Sequence, residues 1–188
     1  MAHRTDGAGA RVLTIPNLLS AFRLCLIPLI LWLYGTGRSA LWAGGALVLS
    51  GLTDVADGWV ARKFHMGSGL GKVLDPLADK LTQGAVLACL VFRYPWMLLP
   101  LLLLLVKETA VAVSGWVVLK KTGRVEGADW HGKAATCLLY ATLLLHLVWD
   151  NVPPLASGLA ILACAGMTAL SLVLYLRRNR KALAQSKL

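Results

Sequence analysis

Charge is scarce in this chain. Only 15% of its 188 residues are Asp, Glu, Lys or Arg, while 57% are hydrophobic. A soluble domain of this size needs more polar surface, and a mean hydropathy of +0.67 points to an integral membrane protein instead. Acidic residues are rarer still, nine against 19 Lys and Arg, which leaves a formal net charge of +10. In an apolar chain such an excess marks loops facing anionic lipid head groups. By the basic-patch criteria nucleic-acid binding fits poorly, and no nucleic-acid partner is expected. Cysteine is limited to Cys25, Cys89, Cys137 and Cys164, each inside an apolar run and with no CxxC among them. Neither a zinc site nor a redox pair is suggested, and buried apolar packing accounts for all four. The N-terminus lacks a short apolar core followed by a small-residue cleavage site, so no signal peptide is expected. No internal repeat is present, and no low-complexity segment beyond leucine richness.

Long apolar runs are what the chain does have. Six spans are read at about residues 18–34, 40–60, 71–92, 97–119, 134–149 and 155–176. Each is close to the ~20 residues that cross a bilayer, the fifth being short. The expected fold is all-α, an integral membrane bundle of six transmembrane helices. Residues 1–10 are polar and expected to be disordered. Residues 11–20 suggest a short N-terminal interfacial helix or turn punctuated by Pro16. The membrane domain is expected over 11–180 and a basic C-terminal tail over 181–188. With both ends in the cytoplasm, the outer turns carry only Arg38 and Arg93, so the basic bias favours N-in, C-in. Trp96, Trp130 and Trp149 fit interfacial belts. Arg23, near a helix end, is read as a snorkelling residue, or else as a contact for an anionic lipid or substrate phosphate.

The charges that remain inside the apolar runs are concentrated. Residues 54–80 hold Asp54, Asp57, Asp75 and Asp79. The first two are three apart and the last two four apart, so each pair shares a helix face. Gly58, Ala61, Arg62, Gly67, Gly69 and Gly71 lie between the pairs. In the N-in topology all four aspartates reach a similar depth near the cytoplasmic interface. Unpaired intramembrane carboxylates are costly, so four at one level require cations. Salt bridges to Arg62, Lys63, Lys72 and Lys80 are the bland solution. All-oxygen ligands favour the hard ions Mg2+ or Mn2+.

These residues form a pattern. Asp54-x-x-Asp57-Gly58-x-x-Ala61-Arg62, eight residues, then Gly71-x-x-x-Asp75-x-x-x-Asp79, resembles the signature of the CDP-alcohol phosphotransferase family at every fixed position. The run 15–24 resembles that family's first helix entry, and LDPLADK at 74–80 resembles the bacterial members that make phosphatidylglycerophosphate. The resemblance implies attack by an alcohol hydroxyl on CDP-diacylglycerol, with CMP leaving. It implies two divalent ions held by Asp54, Asp57, Asp75 and Asp79, with Asp79 also the base towards the acceptor. It implies that Asp57, Gly58, Ala61, Arg62 and Gly71 frame the CDP moiety. A homodimer, a plasma (inner) membrane location and a site facing the cytoplasm are further expectations. Physical chemistry agrees on the metals: two ions ~3.5–4 Å apart can neutralise charge on attacking and leaving oxygens.

The acceptor is less legible. Glycerol 3-phosphate needs a basic pocket, for which Lys80, Lys107, Arg124 and Lys133 are candidates. Lys107-Glu108 resembles the Arg-Glu of phosphatidylglycerophosphate synthases, and the bland reading is a local ion pair. Those synthases tend to read Gly-Lys-x-Lys-Thr, whereas here Ala135 replaces the second lysine after Gly132-Lys133. Glycerol 3-phosphate is the leading acceptor on this reading, and phosphatidylglycerol, giving cardiolipin, is the alternative. A membrane cation transporter is the alternative from another class, although it would want polar residues through the depth of several helices. His131 is read as interfacial, and His65 and His146 have no evident partner.

Overall fold

The computed structural model describes residues 15–36, 40–63, 71–122 and 130–185. Six α-helices follow one another: α1 Ile15–Gly35, α2 Ala40–Lys63, α3 Gly71–Val91, α4 Leu98–Thr122, α5 Trp130–Val148 and α6 Pro154–Gln185. A 3-10 turn, Pro95–Met97, leads into α4. There is no strand among the described residues, so the all-α expectation holds.

Each expected apolar span falls within one helix, give or take a residue at the ends. Two boundaries differ in an informative way. From Ile15 the expected interfacial segment is simply the first turn of α1; residues 11–14 lie outside the described ones. Pro16 does not punctuate it, because a helix's first turn has N–H groups without helical partners anyway. At the other end α6 continues through the basic residues to Gln185. Its 32 residues rise about 48 Å, well beyond a ~30 Å hydrocarbon core.

Among the described residues three helices are long and apolar enough to cross a membrane: Asn17–Gly35, Pro95–Lys121 and Pro154–Leu183. In α2 the apolar stretch is the shorter Ala40–Ala56. α3 opens with the charges Lys72, Asp75, Asp79 and Lys80, and α5 has only 19 residues. Large apolar side chains point outward along the helices, among them Leu18, Trp42, Leu102, Leu155 and Leu162. Exposed apolar surface on this scale suits a hydrocarbon surround. Trp96, Trp130 and Trp149 are all exposed and all stand at helix ends.

The chain forms two compact units, residues 1–85 and 86–188, and the division falls within α3. In the first, α1 and α2 form a hairpin. Ala43, Ala46 and Leu47 of α2 are buried, as are Leu26 and Ile30 of α1. The small residues of α2 allow close backbone approach, which is how helices associate where lipid gives no hydrophobic drive. In the second unit α6 packs on α4 and α5. Asn179 donates to Ser114 Oγ at 2.9 Å, joining α6 to α4. Gly115 lies one residue on, where an added Cβ would come within 3.5 Å of the Tyr175 hydroxyl. α5 and α6 are joined at three levels: His146 Nε2 to Ser157 Oγ at 2.8 Å, Thr142 Oγ1 to the Ala160 carbonyl at 3.4 Å, and His131 Nδ1 to Ser171 Oγ at 3.0 Å.

Candidate functional site

The hairpin of the first unit decides where the aspartates meet. On α1 the buried face reads Asn17, Ser20, Arg23, Leu26, Ile30, polar at its N-terminal end and apolar beyond. On α2 the buried face reads Ala43, Leu47, Ser50 and then reaches Asp54. Both progressions follow the three-to-four residue spacing of one helix face. The Arg23–Asp54 contact, across a short connection, shows that the helices run antiparallel. Antiparallel pairing sets the polar end of each face against that of the other.

Arg23 is the centre of this end. Its side chain is 1% exposed, and Nη1 donates to Asp54 Oδ1 of α2. Nη2 stands 3.7 Å from Asp75 Oδ1 of α3. Ser20, one turn earlier on α1, donates to the same Asp75 oxygen. Two carboxylates from two helices are therefore held by one face of a third. This corrects the snorkelling expectation for Arg23: its guanidinium turns inward, because two partly exposed carboxylates beside it attract it more than distant head groups do.

Asp79 sits one turn beyond Asp75. It accepts from Gln83 Nε2 at 2.9 Å, and Lys80 Nζ lies 3.6 Å away. Asp75 and Asp79 both lie within electrostatic reach of Asp54. Pro76 stands between the two α3 aspartates and gives no N–H to the carbonyl of residue 72, which loosens the helix there. Of the bland ion pairs expected for the aspartates, Lys80–Asp79 is present. Lys63 is exposed. The side chains of Asp57, Gly58, Ala61, Arg62, Gly71 and Lys72 lie outside the described residues, as do His65, Gly67, Gly69 and Arg124.

Among the described residues no three Asp, Glu, His or Cys side chains are gathered as a metal cage. The donor chemistry nonetheless fits a hard cation. Asp54 and Asp75 offer only oxygens, they already share a cation in the Arg23 guanidinium, and their side chains remain 44% and 30% exposed. Asp57, another expected ligand, lies on α2 with its side chain outside those described.

The expected acceptor lysines fall on different elements. Lys107, nine residues into α4, is buried and its Nζ is 3.1 Å from Glu108 Oε1, so the local ion pair exists. Lys133, in the first turn of α5, is exposed, and Ala135 beside it is buried. His131 is not a free interfacial group but is buried against Ser171 of α6. His146 does have partners: it is buried, held by the Thr142 carbonyl and Ser157, with the Tyr94 ring edge-on at 4.8 Å. A cavity of about 530 Å3 opens beside Tyr94, Trp96, Val152 and Ile161 in the second unit, and no aspartate of the motif lines it.

Ser20, Arg23 and Gln83 are the site residues that motif spacing does not reveal. The signal that finds two of them is a polar stripe, Asn17, Ser20, Arg23, on an otherwise apolar helix.

Long apolar helices with a cluster of carboxylates and one arginine set into their packed face define a membrane protein with a functional polar centre. The sequence profile of the CDP-alcohol phosphatidyltransferase family matches residues 13–175, and the chain belongs to that family. It is thus a transferase of phospholipid biosynthesis. A cardiolipin synthase (CMP-forming) from Streptomyces coelicolor is 39% identical over 160 residues, covering 82% of this chain and 74% of the relative. A cardiolipin synthase (CMP-forming) from Oryza sativa is 32% identical over 190 residues, 89% of this chain and 58% of the relative. CDP-diacylglycerol--glycerol-3-phosphate 3-phosphatidyltransferase 1 from Arabidopsis thaliana is 31% identical over 198 residues, 93% of this chain and 65% of the relative. The chain therefore spans less than two thirds of each plant relative.

Proposed function

We propose that the protein transfers the phosphatidyl group of CDP-diacylglycerol to the hydroxyl of phosphatidylglycerol, forming cardiolipin and releasing CMP. The observation that carries the transfer is the pairing of Asp54 and Asp75 on Arg23, with Asp79 one turn beyond Asp75, within a complete family signature. The acceptor oxygen bonds to the phosphorus of the diacylglycerol phosphate, the pyrophosphate bridge breaks, and the bridging oxygen departs with CMP. Asp79 receives the hydroxyl proton. Asp54, Asp57, Asp75 and Asp79 would hold two Mg2+ or Mn2+ ions, which when bound neutralise charge on the entering and leaving oxygens. The signature assigns Arg62 to the CDP moiety, where a guanidinium can pair bidentately with a phosphate. The family signature assigns Gly58, Ala61 and Gly71 to the CDP moiety, where small residues would permit close backbone approach.

Charge supports the choice of acceptor. A phosphate monoester such as glycerol 3-phosphate carries about two negative charges, and a phosphodiester carries one. In this chain the second lysine of the phosphoglycerol pattern is the buried Ala135, and Lys107 is already offset by Glu108. The 39% identity to the Streptomyces protein, named a cardiolipin synthase, points the same way. Glycerol 3-phosphate is a second reading, favoured by the likeness to the Arabidopsis transferase and by Lys80 and Lys133. We further place the protein as a six-span, N-in, C-in homodimer of a bacterial plasma membrane, its site open to the cytoplasm. The basic bias and the six helices support the span count and the orientation.

The test is CMP release by purified protein in liposomes containing CDP-diacylglycerol and Mg2+, with one acceptor added at a time and the lipid product weighed. Cardiolipin formed from phosphatidylglycerol, with no phosphatidylglycerophosphate from glycerol 3-phosphate, is the expected result. The reverse pattern establishes the second reading. Ion flux without CMP release would instead establish a transporter.

A further inference from the structure

The first unit contains a cation of its own at the place where divalent ions are proposed to bind. Arg23 stands behind Asp54 and Asp75 with its side chain 1% exposed, while the two carboxylates are 44% and 30% exposed. The guanidinium closes the cluster from the protein side and leaves the carboxylate oxygens open on the other. It is not a pair partner to one aspartate but spans two helices, with Nη1 on Asp54 and Nη2 3.7 Å from Asp75. Ser20 fixes Asp75 independently. Arginine suits this task because its planar fork presents several N–H donors at once and it stays charged.

We infer that Arg23 is a positioning residue, an internal counter-cation that holds Asp54 and Asp75 side by side before a divalent ion binds and limits how tightly the ion then binds. The inference rests on the proposed metal site. Its physical basis has two parts with the same sign. The guanidinium occupies carboxylate lone pairs that the ion needs, and its positive charge repels the ion across a short, partly desolvated distance. Both effects favour the ion-free state over the loaded one. A weak, exchangeable ion suits a site whose substrate phosphates must complete the coordination shell.

Linkage makes this measurable without turnover. A group that stabilises the ion-free state more than the loaded one lowers ion affinity by the same amount. Mn2+ binding to the detergent-solubilised wild type is measured by electron paramagnetic resonance, and melting is followed with and without Mn2+. Arg23→Met is expected to bind Mn2+ about tenfold more tightly and to melt lower without the ion. The loss should shrink when Mn2+ is added, because the ion replaces the missing charge. Arg23→Lys, which keeps the charge but reaches only one carboxylate, is expected to fall between the two in both readouts. It carries the test alone should the methionine variant not fold.

Equal melting losses with and without Mn2+, together with unchanged affinity, would mean a purely structural pin and would overturn the inference. Weaker Mn2+ binding by both variants would overturn it as well, since Arg23 would then support the loaded site. In each of these cases the wild type still binds Mn2+, so the metal reading survives. Absence of Mn2+ binding by the wild type overturns the metal reading itself, and the role of Arg23 with it.

Discussion

Asp79→Asn separates the chemistry of this protein from its folding. The side chain is 17% exposed, accepts from Gln83 Nε2 at 2.9 Å and faces Lys80 Nζ at 3.6 Å. Asparagine has nearly the same shape, and its Oδ1 can accept the same bond, so α3 should keep its packing. What is lost structurally is one partly exposed ion pair, about 0.5–1 kcal/mol. In a chain of this length a loss of that size lowers the melting temperature by roughly 1–4 °C. What is lost chemically is the ability to take a proton. A positioned base contributes about 10²–10⁴-fold, so the barrier should rise by roughly 3–5 kcal/mol. The two effects differ enough to be measured on one sample. Melting is followed by tryptophan fluorescence, and CMP release is followed in the same liposomes with CDP-diacylglycerol and Mg2+. The expected result is a small melting shift with turnover down at least about a hundredfold. Turnover within about tenfold of wild type at normal melting would show that Asp79 is not the base. A melting loss beyond about 8 °C would show that the residue holds the fold.

Chelation of divalent ions should abolish CMP release, and Mg2+ or Mn2+ should restore it; activity that survives exhaustive chelation refutes the metal site. Lys107→Ala with Lys133→Ala should change the KM for phosphatidylglycerol by less than about threefold, whereas a glycerol 3-phosphate pocket would show about tenfold or more, ~1.4 kcal/mol. His146→Phe removes the contacts to the Thr142 carbonyl and Ser157, both at 2.8 Å, and strands a hydroxyl. It should cost about 1–3 kcal/mol of stability and leave the KM for CDP-diacylglycerol unchanged; a changed KM would give this histidine a role beyond packing. Asn179→Leu, which breaks the 2.9 Å bond to Ser114, should lower melting by a few degrees without altering acceptor preference, read from the lipid products.

The helices were legible because their cause is local. Apolar runs near bilayer length, ended by GTGRS, RYPW and DNVPP, mark α1 to α6 within a few residues at most ends. The aspartate pattern was legible for the same reason: spacing along one helix fixes which residues share a face. The end of α6 was not legible, because charge ends a membrane span without ending a helix, and α6 runs on through the basic residues to Gln185. His146 offered no sequence signal, since Ser157 reaches it from the next helix.

By itself the sequence determined the composition of the solvent-facing and lipid-facing surface, the order of the helices and the family signature. All of these depend on neighbours within a few turns. Only the tertiary structure decided what Arg23 does. Its two carboxylate partners are 31 and 52 residues away on different helices, and no periodicity in one helix specifies which face of another it will meet. Antiparallel pairing of α1 and α2 turned a lone membrane arginine inward, and that packing, rather than the motif, placed a cation among the aspartates.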